Sequence, residues 1–384
     1  MHRITPQLSD QSTAASVIKV APFCFPAIRS TVFRSALFLS TLFLSACDPS
    51  ADKQAEQQQE KHDYSIFTFG TLVDISLYGV SREQADEAFE QLQKDFDHFH
   101  QHWSPWTDGD LARLNRQLES LTPAVIPDHL KPLIQTSMTL SQQSDHYYNP
   151  TIGKLINLWQ FHRYQEDDIR PPSAQKIQAL VEQQPRMTDL RFDDEGRLIN
   201  TNPAISLNFG AYAKGYAIAL EIEKLRRMGI DNAVINAGGD LSVIGQHGER
   251  AWNIGIRHPR NDSVLASVEV KDNESVFTSG DYERFYHYQQ KRYHHILDPN
   301  TGYPTTDTQS ITVIHHDAGL ADAAATALFV AGSTRWKKVA KNMGLRYVML
   351  IDGRGDIHIT PAMEKRIKLL NKSPTSHIIL SEEL

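Results

Sequence analysis

The spacing of apolar positions predicts a folded domain that begins near Tyr64. Residues 66–69 and 72–78 are predicted to form two strands, since apolar and polar side chains nearly alternate in the second segment. From residue 82 to about residue 100, apolar side chains instead recur along one helical stripe. The domain is therefore predicted to start with a strand pair followed by an amphipathic helix.

Further helices and strands are predicted along the rest of the domain. Residues 128–145 and 213–228 have helical spacing, and residues 321–330 are alanine-rich and favour a helix. The predicted strands are residues 233–235, 252–256 and 310–314. Because strands and helices do not alternate strictly, an α+β fold with mixed sheets and packed helices is preferred to a doubly wound parallel sheet.

The N-terminal segment has a different pattern. Arg29 and Arg34 precede a short apolar run, which is far shorter than the roughly 20 residues of a membrane-spanning helix and is typical of a signal peptide. Residues 44–47, Leu-Ser-Ala-Cys, resemble the lipobox of bacterial lipoproteins. This resemblance implies that Cys47 is acylated and becomes the mature N-terminus, with its acyl chains anchoring the protein to a membrane.

A polar stretch rich in Gln, Glu and Lys follows the cysteine and lacks the apolar surface needed to order itself. The chain is therefore divided into residues 1–46 (signal peptide with an N-terminal extension), 47–63 (lipidated cysteine and flexible tether), 64–363 (folded domain) and 364–384 (C-terminal tail).

Charge and cysteine content narrow the possible chemistry. With 39 basic and 46 acidic residues, the net charge of -7 provides no global cationic field, so nucleic-acid binding is not expected. Cys24 and Cys47 are the two cysteines of the chain, and both lie in the N-terminal segment. A disulfide framework and a four-cysteine metal site are therefore excluded, and a metal would need oxygen or imidazole ligands.

Common catalytic motifs are missing from the sequence. It contains no G-x-G-x-x-G, Walker P-loop, H-E-x-x-H or G-x-S-x-G pattern, which argues against Rossmann enzymes, P-loop NTPases, zincins and α/β-hydrolases. His98, His100 and His102 form a histidine-rich helix end, and the first and third share a helix face. Because no carboxylate or further ligand stands at a telling spacing, we interpret them as solvent-facing histidines.

Four stretches carry more chemistry. Small residues in 208–216 lead into a helix N-terminus that could bind an anion, although tight helix packing explains them equally well. Residues 236–240 form a Gly-Gly-Asp turn, and residues 278–284 and 293–302 concentrate hydroxyls, imidazoles and carboxylates in connecting segments. In residues 322–326 a carboxylate and a hydroxyl lie one helical turn apart, which suits Mg²⁺ but also an ordinary exposed helix.

Together with residues 69–71, 104–106 and 149–159, these stretches resemble the ordered motifs of the ApbE family of FAD:protein FMN transferases. For example, Asp322 and Thr326 match the family's Ala-Asp-x-x-x-Thr motif, and His295 stands in its His-Ile-x-Asp-Pro-x-Thr-Gly motif. The resemblance covers nearly the whole predicted domain and implies an ApbE-like flavin transferase fold.

The resemblance also implies an activity. A family member binds FAD with Mg²⁺, cleaves the pyrophosphate, releases AMP and joins FMN through a phosphoester to a threonine hydroxyl of another protein. Family acceptors carry an Asp-Gly-x-Thr-Ser/Ala-like sequence and belong to membrane redox complexes. Asp48 resembles the residue that retains lipoproteins in the bacterial inner membrane, which implies a lipid-anchored protein facing the periplasm.

Site residues follow from the same resemblance. It implies Mg²⁺ ligands at the Ala211 carbonyl, the Asp322 carboxylate and the Thr326 hydroxyl, and a general base at His295, with His294 as its competitor. The residues implied to contact FAD are Phe69, Trp106, Tyr148, Asn149, Asn208, Lys214 and Leu297.

The chain departs from the family pattern at three of these positions. Asn208 and Asn149 replace aspartates, and Phe69 replaces a methionine, so two negative charges are absent near the cofactor. Asparagine keeps an acceptor oxygen but loses the charge. Two alternative functions therefore stay open, namely an FAD pyrophosphatase that releases FMN and AMP, and a non-catalytic FAD-binding lipoprotein.

Overall fold

The computed structural model describes residues 60–163, 169–371 and 376–384. The predicted signal peptide, the lipidated Cys47 and most of the predicted tether lie outside the described residues. Residues 61–63, which the sequence assigns to the tether, instead belong to the first strand because their backbone pairs with the second strand. No helix among the described residues is long and apolar enough to cross a membrane.

The strands are β1 (Lys61–Thr68), β2 (Thr71–Tyr78), β3 (Leu190–Phe192), β4 (Leu198–Asn200), β5 (Asn232–Ala237), β6 (Asp240–Ile244), β7 (Trp252–Arg257), β8 (Val264–Val270), β9 (Ser275–Gly280), β10 (Phe285–Tyr288), β11 (Lys291–His294), β12 (Thr308–His315), β13 (Tyr347–Asp352), β14 (Ile357–Ile359), β15 (Ile367–Leu369) and β16 (Ile378–Leu380). The α-helices are α1 (Arg82–Trp103), α2 (Asp110–Glu119), α3 (Lys131–Gln143), α4 (Gly153–Trp159), α5 (Ala174–Val181), α6 (Ala213–Arg227), α7 (Ala318–Asn342) and α8 (Pro361–Glu364). Short 3-10 helices cover Asp128–Leu130, Phe161–Arg163 and Met187–Asp189.

Within the described part of the chain, nine strands form one sheet in the order β1-β2-β5-β6-β9-β12-β13-β14-β16. Its neighbours pair antiparallel except β14 and β16, which are parallel. Strands β15, β8 and β7 form a smaller sheet, and β10–β11 and β3–β4 form two-stranded ribbons. This segregation of an antiparallel sheet and helices is the predicted α+β architecture.

The large sheet separates two hydrophobic clusters. Val313 on β12 packs in the larger cluster with α1, α6 and α7, whereas its neighbour Ile314 packs in a second cluster with residues of β7 and β8. Successive strand residues point to opposite faces, so both faces of the sheet are covered. A third cluster around Trp159, Phe161 and Tyr286 lies between α4 and the β10–β11 ribbon.

Two predicted ends differ from the structure. The segment from residue 364 is not a simple tail, because β15 pairs with β8 and β16 pairs with β14. The predicted helix 321–330 extends from Ala318 to Asn342, with a break at Gly332, where φ is 70°. Asp307 explains the break, since its Oδ2 accepts hydrogen bonds from Ser333 N (2.8 Å) and Oγ (2.9 Å) and so caps the second helical segment.

Glu221 is an unsatisfied acid inside the larger cluster. It lies on α6 with 1% of its surface exposed, and its Oε2 has no hydrogen-bond partner. The Lys224 Nζ is 3.8 Å from Oε2, but this lysine pairs with Asp95. Burial raises the pKa of Glu221 from 4.5 to about 8. The folded protein therefore holds a proton here that the unfolded chain loses at much lower pH.

The wild-type protein should lose stability as the pH rises from about 4.5 to about 8, and we expect Glu221→Gln to abolish this loss. Over that interval the wild-type folded state binds the extra proton, so its free energy of unfolding declines with pH. Glutamine carries no charge, and the variant should be about 1–3 kcal/mol more stable than wild type at pH 8. Urea unfolding at pH 5 and pH 8 measures the difference.

Glu223→Gln is the matched control, because Glu223 is exposed on the same helix. It should leave the pH dependence of stability unchanged. If the stability of Glu221→Gln depended on pH as that of the wild type does, Glu221 would be ionised in the folded protein.

Candidate active site

Two adjoining cavities open beside the N-terminal ends of α6 and α7. The main cavity has a volume of about 190 Å³ and the second cavity about 250 Å³, and both are lined by Trp106, Asn208, Lys214 and Arg284. Their combined size lies in the range of about 300–1,000 Å³ typical of small-molecule sites. The predicted site residues on the main cavity are Trp106, Tyr148, Asn149, Asn208, Ala211, Lys214, His295, Leu297, Asp322 and Thr326, and Phe69 lines the second cavity.

Asp322 is held at the contact between α6 and α7. Its Oδ2 accepts a hydrogen bond of 2.9 Å from the Gly215 backbone N–H. A Cβ atom at Gly215 would lie 2.3 Å from the Ala318 carbonyl oxygen and 2.8 Å from Asp322 Cβ. The two helices can therefore approach this closely only because residue 215 is glycine.

The charges around Asp322 form a compact group. Burial raises the pKa of Asp322 to about 7, while Lys214 favours the ionised carboxylate. Lys214 forms an ion pair with Asp240, whose other oxygen accepts a 2.9 Å hydrogen bond from Thr278 N. Although burial opposes it, the carboxylates of Asp240 and Asp322 raise the pKa of Lys214. The lysine therefore stays positively charged beside the main cavity.

Three oxygen donors face the same cavity. Thr326 follows Asp322 by one turn of α7, and its hydroxyl lies 3.3 Å from the Ser279 hydroxyl. Ala211, just ahead of α6, also lines the main cavity, and its backbone carries a carbonyl oxygen. A carboxylate, a hydroxyl and a carbonyl are ligands that Mg²⁺ accepts, and a small hard cation could be held among them.

The two neighbouring histidines have different surroundings. His294 Nε2 lies 2.6 Å from the Thr305 carbonyl oxygen, and its Nδ1 accepts a 3.3 Å hydrogen bond from Ile296 N. His295 lines the main cavity, and its buried Nδ1 has no hydrogen-bond partner. Burial, with help from Arg284, lowers the pKa of His295 to about 3, so its imidazole is neutral. Of the two histidines, His295 is the one that lines the main cavity and keeps a ring nitrogen without a protein partner.

The two asparagines that replace family aspartates play different parts. Asn149 Oδ1 accepts from Thr151 N and Oγ1, and its Nδ2 donates to the Pro185 carbonyl (2.9 Å), a bond that an aspartate could not make. Asn208 Oδ1 accepts from Gly210 N, but its Nδ2 is buried without a partner. Asn208 lines both cavities, and its Nδ2 is a donor that lacks a protein partner there.

Aromatic and apolar side chains complete the walls. The Trp106 ring is 44% exposed, donates from Nε1 to Asn157 Oδ1 (2.8 Å) and stacks on His162. Tyr148 is buried, with its hydroxyl 2.8 Å from Ser137 Oγ, so it serves as a wall and not as a polar contact. Trp106 offers the accessible flat surface for a ring system.

Phe69 sits at the far side of the second cavity in an uncommon backbone conformation. Its φ is 52°, a value that costs energy for a residue with a side chain. The Arg284 guanidinium donates to the Phe69 carbonyl (3.3 Å), and the Phe69 ring meets His100 edge to face. The contact ties the β1–β2 turn to the segment before β10.

Sequence reasoning missed Arg284, Phe161 and His162 as cavity residues. Each lines both cavities, and Arg284 adds a cation close to His295. The signal for Phe161 and His162 was the aromatic-rich sequence that follows α4. Arg284 lay within a stretch already singled out, but nothing in its spacing indicated that its side chain crosses to the β1–β2 turn.

Several known proteins similar to this chain belong to one family. The sequence model of the ApbE family matches residues 69–349. A FAD:protein FMN transferase of Rhodobacter capsulatus is 36% identical over 308 residues, covering 79% of this chain and 58% of that protein. A FAD:protein FMN transferase of Escherichia coli K12 is 29% identical over 296 residues, covering 75% of this chain and 83% of that protein.

Solved structures give the same result for the fold. The ApbE protein of Thermotoga maritima superposes with a TM-score of 0.73 at 29% identity, covering 80% of this chain and 99% of its own. The flavinyl transferase ApbE of Pseudomonas stutzeri superposes with a TM-score of 0.67 at 27% identity, covering 80% of this chain and 97% of its own. These matches confirm both the α+β fold and the resemblance that the motifs predicted. The chain belongs to the ApbE family.

Proposed function

We propose that this chain is a Mg²⁺-dependent enzyme that transfers FMN from FAD to a threonine hydroxyl of an acceptor protein and releases AMP. Relatives named FAD:protein FMN transferase support flavin transfer. The observation that carries the proposal is the convergence of a free histidine nitrogen, a buried carboxylate and a lysine on one cavity, contributed by His295, Asp322 and Lys214. This set offers a base, a cation ligand and a phosphate contact.

The donor set fits Mg²⁺. Asp322 keeps one carboxylate oxygen for Gly215 and has a second to offer a cation, while Thr326 and Ala211 supply neutral oxygens. Mg²⁺ bound there would neutralise the pyrophosphate and stabilise the leaving phosphate. The charge of Lys214, held beside these oxygens by Asp240, would contact the flavin nucleotide and balance its phosphates.

The proposed reaction exchanges one phosphorus–oxygen bond for another. The acceptor threonine oxygen attacks the FMN phosphorus of FAD, and the bond from that phosphorus to the bridging oxygen breaks. AMP leaves with the bridging oxygen, and the threonine proton passes to His295 Nδ1. Because burial lowers the pKa of His295 to about 3, this transfer requires the negative pyrophosphate to stabilise the imidazolium that forms.

The remaining cavity residues would orient FAD. We assign the flavin ring system to the exposed face of Trp106 and to the apolar walls formed by Tyr148, Leu297 and Phe69. The unpartnered Asn208 amide donates to a phosphate or ribose oxygen. Asn149 shapes the wall through its bonds to Thr151 and Pro185 and contacts FAD without a charge. Each of these residues lines at least one of the two cavities, and Asn208 Nδ2 has no hydrogen-bond partner in the protein.

The cellular setting is proposed from the sequence. We propose a lipid anchor at Cys47 that holds the enzyme on the periplasmic face of the bacterial inner membrane. We further propose that the acceptor is a subunit of a membrane redox complex with its threonine in an Asp-Gly-x-Thr-Ser/Ala-like sequence. Anchoring enzyme and acceptor to one membrane raises their effective concentration.

The full chain is tested by mixing it with FAD, Mg²⁺ and an acceptor domain that carries the threonine motif. Transfer predicts that acceptor mass increases by one FMN for each AMP released, and that a Thr→Ala acceptor gains no mass. Release of AMP and free FMN without acceptor labelling would favour the pyrophosphatase. Bound FAD that stays intact with every acceptor would favour the non-catalytic carrier.

A further inference from the structure

A second group of ligand-type side chains lies away from the Asp322 site, where α1, α2 and the 3-10 helix Asp128–Leu130 meet. We name it the histidine cluster, consisting of His98, His102, Asp110 and His129. His98 and His102 are one turn apart on α1, Asp110 is the first residue of α2, and His129 lies in the 3-10 helix. Three separate elements therefore bring imidazoles and one carboxylate together.

Distances in the histidine cluster are short. Asp110 Oδ2 is 2.6 Å from His102 Nδ1 and 3.3 Å from His129 Nε2. One ligand atom from each of these three residues lies within 4.8 Å of the other two. The His98 ring centre is 4.4 Å from that of His102 and 5.4 Å from that of His129. The ligand atoms of His102, Asp110 and His129 therefore lie close together, and the His98 ring packs beside them.

The backbone that creates this arrangement requires a glycine. A Cβ atom at Gly109 would lie 1.9 Å from the Gln101 carbonyl oxygen and 3.0 Å from His102 Cα. Any larger residue would push the start of α2 away from the end of α1. Because Gly109 permits this close approach, the Asp110 carboxylate lies against the His102 ring.

The hydrogen bonds within the histidine cluster leave one ring nitrogen without a partner. Arg113 binds Asp110 Oδ1, so Oδ2 alone faces both His102 and His129. His129 Nε2 is buried and makes no hydrogen bond of acceptable geometry despite its proximity to Oδ2.

We propose that His102, Asp110 and His129 bind a divalent transition-metal ion of the zinc type, with His98 beside the fourth position. Zinc takes nitrogen and carboxylate ligands tetrahedrally at about 2.0–2.2 Å, which sets ligand atoms roughly 3.3 Å apart. The observed separations need only small side-chain movements to reach that geometry. His102 would bind through Nδ1 and carry its proton on Nε2, and His129 would gain the partner that its buried nitrogen lacks.

This site is separate from the oxygen-rich Mg²⁺ site proposed around Asp322. Imidazole ligands select zinc-type ions over Mg²⁺. An ion in the histidine cluster would clamp α1 to α2 and thereby fix residues 104–109, the segment that carries Trp106 to both cavities. The sequence interpretation of solvent-facing histidines is therefore incomplete, since His102 is only 28% exposed and has Asp110 and His129 beside it.

The test measures Zn²⁺ binding to the purified full chain by competition with a chromogenic chelator in excess Mg²⁺, which masks the Asp322 site. We expect one high-affinity Zn²⁺ per chain. His102→Ala, His129→Ala and Asp110→Asn should each weaken binding by more than about tenfold, since even groups that merely orient a ligand are worth about 10- to 100-fold. Co²⁺ should give the visible absorption of a tetrahedral site.

His287→Ala and Asp108→Asn are the matched controls, since both residues are exposed and lie outside the histidine cluster. Both should bind Zn²⁺ as wild type does. Asp110→Asn keeps the size of the side chain, and circular dichroism verifies that each variant is folded. The proposal is overturned if wild type binds no Zn²⁺ at micromolar concentration. It is also overturned if binding survives both His129→Ala and Asp110→Asn, because the ion would then be held by His98 and His102 of α1 alone.

Discussion

We expect Asp322→Asn to lower the rate of FMN transfer by at least about 100-fold, because a bound metal contributes several kcal/mol of charge stabilisation. Asparagine has nearly the same shape as aspartate, and its side-chain oxygen can still accept the hydrogen bond from Gly215 N. The variant therefore removes the charge that would hold Mg²⁺ while preserving the α6–α7 contact. Initial rates of acceptor labelling, measured across a Mg²⁺ titration, give both the maximal rate and the Mg²⁺ requirement.

Asp317→Asn on the same helix is the control. Asp317 caps α7 by accepting a 2.9 Å hydrogen bond from Leu320 N, and asparagine is an equally good cap. Its activity and its Mg²⁺ response should match wild type. Full transfer by Asp322→Asn at an unchanged Mg²⁺ concentration would remove Asp322 from the metal site.

We expect His295→Gln to retain FAD binding and to slow transfer by about 10²- to 10⁴-fold, the usual contribution of a positioned general base. The Nδ1 atom of His295 has no protein partner, so the substitution breaks no hydrogen bond of that atom. FAD affinity from quenching of flavin fluorescence separates binding from chemistry. Single-turnover labelling of the acceptor then reports the chemical step.

His294→Gln should instead lower the stability of the fold without slowing transfer. His294 is buried against Phe329, and its two nitrogens contact the Thr305 carbonyl and Ile296 N. Its replacement should lower the free energy of unfolding by about 1–3 kcal/mol, the cost of leaving such buried groups unpaired. Transfer per folded molecule should stay near wild type. If His294→Gln abolished transfer in folded protein while His295→Gln did not, the base would be His294.

Local patterns predicted the elements well where an element contains many buried apolar residues. The predicted helix 82–100 corresponds to α1, and the predicted strand 310–314 lies within β12. The strands β15 and β16 were missed because each has three residues and forms only through pairing with distant strands. A local pattern contains no information about such partners.

The site was predicted through motifs, and its missed parts depend on long-range contacts. Asp322 and Thr326 are one helical turn apart, so their shared face follows from spacing alone. By contrast, Arg284 reaches the Phe69 carbonyl 215 residues away. His129 reaches Asp110 from a separate 3-10 helix, which is why the histidine spacing on α1 gave no sign of a third or fourth ligand.

The wide separation of cavity residues along the chain has a consequence for biogenesis. The Arg284–Phe69 contact and the 107-residue separation of Gly215 from Asp322 mean that the pocket closes only after β1, β10 and α7 have all assembled. Chains dominated by such distant contacts fold slowly, because loop-closure entropy is lost before the contacts form. Under the proposed function, FAD would therefore bind only after the whole domain has folded.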